Sequence, residues 1–190
     1  MNSKNWTTLP AGLPVPTDDG AAAHLVGMKL PPLPLEATNG GTVDLSAQRG
    51  RTVVFAYPRT GKPGEAPLTP DWDKIPGARG CTPHTCGFRD LHREFQALGC
   101  TVYGLSTQDT AYQREMTERL QVPFPVLSDA GLNLTRALRL PTLTGAGEVL
   151  LKRLAWVADD GRITKVFYPV FPPDKNADEV LAWLRGGPAK

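Results

Sequence analysis

The sequence predicts an α/β sandwich in which helices cover a central mixed β-sheet. Apolar, β-branched segments at 51–57 and 100–106 indicate two buried strands, and a segment with helical periodicity separates them. A further apolar segment at 150–170 contains Asp160-Gly161, a turn signal that indicates an antiparallel hairpin. Strands that alternate with helices and end in a hairpin and a last helix are typical of this architecture.

The remaining elements follow from apolar periodicity. One helix, which Gly99 ends, is predicted from residues at 3-4-3 spacing, namely Phe88, Leu91, Phe95 and Leu98. The others, in chain order, are a helix marked by Tyr112, Met116 and Leu120, a short strand at 123–128, a helix at 132–140, and a closing helix marked by Ala177, Val180, Leu181 and Leu184.

A chain of 190 residues is long enough to bury one core without disulfides or metals. Prolines concentrate in residues 1–36, which predicts a mostly extended, partly disordered arm. Residues 1–24 of this arm would precede a single domain at 25–190. A second Gly/Pro-rich stretch at 58–83 predicts a long loop, and loops of that length inside a compact domain are usually functional.

Composition excludes several classes of partner. The formal net charge of +2, with both signs interspersed, gives no reason to expect a nucleic acid or an anionic membrane surface as a partner. No apolar segment approaches the roughly 20 residues that span a bilayer, and the N-terminus has no signal-peptide pattern. We therefore expect a cytoplasmic location, where a close cysteine pair is more often catalytic, redox-sensing or metal-binding than a permanent cross-link.

Two of the three cysteines, Cys81 and Cys86, lie where the long loop meets the first predicted helix. Cys81 falls at or just before the first helical turn, where free backbone N–H groups and the helix dipole stabilise a thiolate. Counted at ~100° per residue from Phe88, Cys81 lies on the buried stripe and Cys86 nearly opposite it. This position favours redox chemistry.

Two other interpretations of these cysteines stay open. Both could be small core residues, which is the predicted role of Cys100 at the start of a strand. A metal site would take Cys81, His84, Cys86 and His92 as ligands. Their spacing matches no common zinc pattern, and a helix would spread these groups around its circumference.

Helix geometry keeps the two thiols apart. Residues five apart in an α-helix have Cα atoms about 8.7 Å apart, whereas a disulfide needs roughly 4.4–6.8 Å. Cys81 and Cys86 therefore cannot bond while the helix between them is intact. Pro83 lies where a missing N–H costs nothing, and Gly80 and Gly87 weaken the helix on both sides, so the segment is suited to opening.

The segment GCTPHTCGFRD at 80–90 resembles the catalytic segment of peroxiredoxins of the peroxiredoxin Q (bacterioferritin comigratory protein) group, which reads T-P-G-C-T-x-x-x-C-x-F-R-D. Further similar segments are VVFAYP, GLSTQ, FPVLSD and KRLAWVADDGRI, so the resemblance extends from about residue 25 to about residue 185. It implies a thioredoxin-like fold and a thiol-dependent peroxidase that uses no cofactor.

The resemblance also implies residue roles. Cys81 corresponds to the peroxidatic cysteine, which attacks a hydroperoxide and becomes a sulfenic acid, and Cys86 to the resolving cysteine of the same chain. Arg153 corresponds to the arginine that stabilises the thiolate and polarises the peroxide. The implied substrates are hydrogen peroxide and organic hydroperoxides, the implied reductant is thioredoxin or a similar dithiol, and we expect a monomer. Without the resemblance, Arg153 is predicted to be a surface or edge arginine.

The chain departs from the family at the pattern P-x-x-x-T-x-x-C, whose proline and threonine positions are occupied by Lys74 and Ala78. We expect Pro58 and Thr60 to keep those two roles, with the residues at 61–76 looping out as an insertion. The hydroxyl of Thr82 or a backbone N–H is the alternative to Thr60.

Two rival functions stay open from the sequence. A general disulfide oxidoreductase would carry C-x-x-C at the start of a helix, and the sequence has no such motif. A zinc-stabilised binding module would use the four cysteine and histidine ligands named above.

Overall fold

The structure is a computed structural model that describes residues 8–186. Its strands are β1 (Pro34–Ala37), β2 (Thr42–Asp44), β3 (Arg51–Ala56), β4 (Cys100–Ser106), β5 (Val126–Ser128), β6 (Thr142–Gly145), β7 (Glu148–Leu151), β8 (Leu154–Asp159) and β9 (Arg162–Phe167). Its helices are α1 (Cys81–Asp90), α2 (His92–Ala97), α3 (Thr110–Leu120), α4 (Asn133–Leu138) and α5 (Asn176–Gly186). Short 3-10 turns lie at Ala23–Leu25, Leu45–Ala47, Trp72–Lys74 and Pro173–Lys175.

Most of these strands form one mixed sheet. Across residues 8–186 the sheet has seven strands in the order β2-β1-β5-β4-β3-β8-β9, and β6 pairs with β7 in a separate hairpin. The central strand β3 runs parallel to β4 and antiparallel to β8. This arrangement confirms the predicted α/β fold with helices on a central mixed sheet.

Strand β3 is buried on both faces and divides the core in two. Val53 and Phe55 pack with α1, α2 and α5 on one face, whereas Val54 and Ala56 pack with α4 on the other. Apolar, β-branched residues without alternation suit a strand that is covered on both sides. Cys81 belongs to the first of these two cores.

Elements with strong local signals agree with the sequence prediction. The predicted strands at 51–57 and 100–106 are β3 and β4, and the closing helix is α5. Strands β8 and β9 form the predicted hairpin, in which Asp160 and Gly161 have φ angles of 47° and 75°. Positive φ at both central residues is what a tight type I′ turn requires.

The helix predicted through Leu98 is instead two helices. Leu91 separates α1 from α2 with a φ of −99° and a ψ of 10°, and Leu98 is 39% exposed. The packing partners explain the break, because α1 lies against α5 and the turn at Pro173–Lys175 while α2 packs on β4. A straight helix could not reach both surfaces.

The predicted hairpin strand at 150–170 is also interrupted. Strand β7 ends at Leu151 and β8 begins at Leu154, which leaves Lys152 and Arg153 between them. Arg153 therefore does not lie within a strand, and the alternation of side chains along a strand does not determine its direction.

The N-terminal arm is more structured than predicted. Leu25 is fully buried, Pro34–Ala37 forms β1, and Asp19 pairs with Lys152 at 2.6 Å. Proline is tolerated at the first residue of a strand, so the composition of the arm does not prevent pairing. The part of the prediction that concerns residues 1–7 lies outside the described residues. Within 8–186, no helix has the length and apolarity that crossing a bilayer requires.

Candidate active site

Cys81 is the first residue of α1 and is only 4% exposed. Gly80 precedes it with a φ of 105°, in the left-handed region that favours glycine. A Cβ atom on Gly80 would lie 2.5 Å from Cγ of Pro173 and 2.7 Å from Cδ2 of Leu9. Glycine is therefore required here, and this tight turn fixes where the thiol enters the helix.

The guanidinium of Arg153 contacts the sulfur of Cys81. Its Nη2 lies 3.2 Å from Sγ, and the same nitrogen also lies 3.2–3.3 Å from the carbonyl oxygens of Gly77, Ala78 and Arg79. Arg153 is 3% exposed, so the expectation of a surface or edge arginine is wrong. Arg153 lies in the break between β7 and β8 with its side chain buried, and the dipoles of the three carbonyl groups partly compensate its charge.

His84 lies on the opposite side of the guanidinium. Its Nδ1 is 3.0 Å from Nη1 of Arg153, and its Nε2 is 2.9 Å from Oδ1 of Asn176. Burial, together with the neighbouring Arg153 charge, lowers the pKa of His84 well below its usual value, so the ring is neutral. The sequence treated His84 only as a metal ligand and missed Asn176. The spacing of three between Cys81 and His84, which puts both on one side of a helix, is the signal that was available.

Cys86 is buried as well, at 7% exposure. Its expected position nearly opposite the buried stripe does not expose it, because α1 is covered on more than one side. Burial raises the pKa of the Cys86 thiol. Cys100 on β4 is 4% exposed and packs in the core as predicted, and burial raises its pKa too. All three cysteines are free thiols.

Thr60 lies in the wall of the same pocket as Cys81. Its hydroxyl donates to Oε1 of Gln108 at 3.1 Å, and its backbone N–H donates to that oxygen at 2.9 Å. Nε2 of Gln108 donates in turn to the Thr60 carbonyl at 3.0 Å. Gln108 therefore fixes the backbone and the hydroxyl of Thr60, and Thr82 contributes to the same wall.

The pocket at Cys81 has a volume of about 730 Å³ and is partly open. Much of its wall is formed by the segment at 61–76, the expected insertion, with Pro63, Pro67, Leu68 and Trp72 among the lining residues. Trp72 is buried and packs with Leu68 under the β6–β7 hairpin, where Leu143 and Leu150 complete a small third core. The segment at 61–76 is thus packed against the rest of the protein and forms part of the pocket.

The metal interpretation gains no support from the geometry. Among the residues that the structure describes, no group of three or more His, Cys, Asp or Glu side chains is placed to hold a metal ion. Both ring nitrogens of His84 are engaged by Arg153 and Asn176.

The fold and the site together define a thioredoxin-like thiol enzyme, since a mixed sheet carries a cysteine at a helix start with a buried arginine at its sulfur. The profile of the Redoxin family matches residues 25–181. The chloroplastic peroxiredoxin Q of Suaeda salsa is 30% identical over 162 residues, which are 84% of this chain and 67% of that protein. A putative peroxiredoxin of Mycobacterium tuberculosis is 33% identical over 139 residues, 72% of this chain and 79% of that protein.

A solved structure agrees with these relatives. Peroxidoxin BcpB from Mycobacterium tuberculosis superposes with a TM-score of 0.67 at 28% identity, covering 86% of this chain and 98% of that one. The chain belongs to the redoxin family and, within it, to the peroxiredoxin Q group of thiol-dependent peroxidases.

Proposed function

We propose that this peroxidase reduces hydrogen peroxide and organic hydroperoxides with Cys81 as its peroxidatic thiol and Cys86 as its resolving thiol. One observation carries the assignment: Nη2 of Arg153 lies 3.2 Å from Sγ of Cys81. A guanidinium at that distance stabilises a thiolate, which is the nucleophilic form of cysteine. The raised pKa of Cys86 keeps that thiol protonated, and therefore a poor nucleophile, in the reduced protein.

The first step is attack by the Cys81 thiolate on a peroxide oxygen. An S–O bond forms as the O–O bond breaks, so the sulfur is oxidised by two electrons and the peroxide is reduced to an alkoxide or hydroxide. That leaving oxygen takes up a proton and departs as an alcohol or as water. Arg153 is placed to stabilise both the attacking thiolate and the charge that develops on the oxygens.

The second step joins the two cysteines. The sulfur of Cys86, after losing its proton, attacks the sulfenic sulfur of Cys81, so that an S–S bond forms, the S–O bond breaks and water leaves. The helical separation of about 8.7 Å between their Cα atoms exceeds the disulfide range, so the first part of α1 must unwind. A dithiol then reduces the disulfide by thiol–disulfide exchange and is itself oxidised.

We propose thioredoxin or a similar dithiol as this reductant, a monomer as the working state and a reducing, cytoplasmic location. Three free thiols, two of them the proposed redox pair, suit a reducing compartment. The cycle as written balances with no cofactor.

The pocket supports organic hydroperoxides as substrates. A volume of about 730 Å³ is far larger than hydrogen peroxide needs, and leucine, tryptophan and proline side chains of the insertion line it. Such a wall favours the apolar body of an organic hydroperoxide whose peroxide group reaches Cys81.

We also propose that Thr60 assists in catalysis. Its hydroxyl, which donates to Gln108, would turn to the peroxide oxygen when the substrate enters. Thr60→Val tests this role, since the variant keeps the shape of the side chain and loses the donor. An unchanged kcat/KM in that variant would transfer the role to Thr82 or to a backbone N–H.

The direct test of the proposed function is intact mass after one equivalent of hydrogen peroxide. The reduced protein should lose about two mass units as the disulfide forms, and a dithiol should restore them. Cys81→Ser protein should not react, whereas Cys86→Ser protein should consume about one equivalent and hold a trappable sulfenic acid at Cys81. A sulfenic acid on Cys86 in the Cys81→Ser variant would reverse the two roles.

A further inference from the structure

A chain of buried polar contacts runs from α5 to the sulfur of Cys81. Oδ1 of Asn176 lies 2.9 Å from Nε2 of His84, Nδ1 of His84 lies 3.0 Å from Nη1 of Arg153, and Nη2 of Arg153 lies 3.2 Å from Sγ. None of these four residues is more than 4% exposed. These contacts therefore connect α5 to the sulfur of Cys81 without passing through solvent.

Donor and acceptor roles along this chain follow from chemistry. An arginine has only donors, so Nδ1 of His84 must accept from Nη1 of Arg153. The ring proton is then on Nε2 and is donated to Oδ1 of Asn176, which fixes the tautomer. A protonated ring could not accept from Arg153 and would place a second buried cation beside it. The neutral state of His84 is thus a condition for this contact.

The contact with His84 decides how the guanidinium is oriented. Within the described part of the chain, Nε of Arg153 has no hydrogen-bond partner, so Nη1 and Nη2 alone anchor the group. Without the His84 acceptor, Nη1 would be buried and unsatisfied, which favours a rotation that takes Nη2 away from Sγ.

We propose that His84 is a positioning residue for the peroxidase reaction: anchored by Asn176, its Nδ1 holds the guanidinium of Arg153 in the orientation that serves the Cys81 thiolate. This inference rests on the proposed role of Cys81. It assigns a function to a side chain that also packs against two aromatic rings, with ring centroids of Phe55 and Phe88 at 5.0 Å and 5.5 Å.

The test uses the full chain with the Cys86→Ser substitution, in which sulfenic acid formation is isolated from disulfide formation. His84→Phe keeps an aromatic ring against Phe55 but loses both hydrogen bonds, and it should slow sulfenic acid formation at least about tenfold. The ultraviolet absorbance of the thiolate at neutral pH should fall in parallel. Circular dichroism must show that the variant is folded, because unfolding would also take Cys81 away from Arg153 and lower this absorbance.

Two further variants serve as a rescue and as a control for His84→Phe. His84→Asn places an amide oxygen near the position of Nδ1, so it should restore the rate to within about threefold of the background protein. His92→Phe is the matched control, because His92 lies on α2 against the ring of Phe124 and is no part of the contact chain. It should leave both the rate and the thiolate absorbance unchanged.

The outcomes separate this inference from the proposed function. If the Cys86→Ser protein itself forms no sulfenic acid, the proposed function fails. If it does, and folded His84→Phe protein matches its rate and its thiolate absorbance, the positioning role is overturned. Should circular dichroism show that His84→Phe does not fold, Asn176→Ala leaves α1 unchanged and removes the anchor of the ring. This variant should slow sulfenic acid formation several-fold, and an unchanged rate would overturn the inference equally.

Discussion

Nη2 of Arg153 and Sγ of Cys81 lie 3.2 Å apart, and both side chains are almost completely buried. A buried cation is costly unless charges or dipoles compensate it. Here a row of backbone carbonyls does so in part, and a thiolate on Cys81 would complete the pair. The same contact thus explains why Arg153 is tolerated in the core and supports the proposal that Cys81 is the reactive thiol.

Arg153→Met should slow peroxide reduction about 10²–10³-fold, the usual loss when one preorganised donor at a developing charge is removed. Arg153→Lys keeps the charge but loses the planar guanidinium, so its rate of peroxide reduction should lie between those of the unsubstituted protein and Arg153→Met. Stopped-flow kinetics with hydrogen peroxide measures this effect. Near-normal rates for a folded Arg153→Met protein would remove Arg153 from the site.

Gly80→Ala should destabilise the protein and also slow the reaction of Cys81 with peroxide. The new Cβ would meet Pro173 and Leu9 at less than contact distance, in addition to the strain of a φ of 105°. Gly27→Ala is the matched control, because Gly27 has a φ of 87° with nothing within 4 Å of a Cβ. Urea unfolding should show a clearly larger loss for Gly80→Ala. Equal losses would mean that the turn before Cys81 has room to adjust.

The low pKa of His84 predicts a pH dependence of stability. The unfolded chain takes up a proton at this residue below about pH 6.5, whereas the folded protein does not, so acidification favours unfolding. The free energy of unfolding should therefore fall by about 1.4 kcal/mol per pH unit from this group as the pH drops below that value. Urea titrations over this window should give a flatter slope for His84→Phe. An equal slope would show that His84 takes up its proton normally in the folded protein.

The pocket wall formed by the segment at 61–76 predicts a preference among hydroperoxides. Leu68→Ser makes the pocket wall polar and should lower kcat/KM for cumene hydroperoxide about tenfold, while kcat/KM for hydrogen peroxide changes little. Val26→Ser serves as control, because Val26 is 56% exposed and does not line the pocket. Equal losses for both substrates would show that Leu68 supports the fold rather than the substrate.

Local signals made the central elements predictable. Apolar runs determine β3 and β4, and Asp160-Gly161 determines the last hairpin, because each signal lies within the element that it describes. The break at Leu91 was not predictable, since it depends on which surfaces α1 and α2 meet. The β6–β7 hairpin was missed although Gly147, with a φ of 80°, marks its turn.

The residues of the site also differ in how far the sequence alone predicts them. The sequence indicates Cys81 and Cys86 by their position at the end of a long loop, but Arg153 only through the family resemblance. The contact between His84 and Asn176 spans 92 positions of the chain, and no periodicity within one element reveals such a pair. Asn176 also begins its own helix, where asparagine is common for local reasons.

Amide exchange on the reduced and the disulfide forms tests the central claim that one cysteine reacts in a folded helix and the other reaches it after the helix opens. In the reduced form, the N–H of His84 donates to Gly80 at 3.0 Å and the N–H of Phe95 donates to Leu91 at 3.2 Å. Oxidation should abolish protection from His84 to Arg89 and leave it at Phe95, because α2 stays packed on β4. Unchanged protection between His84 and Arg89, with the disulfide confirmed by mass, would contradict the account.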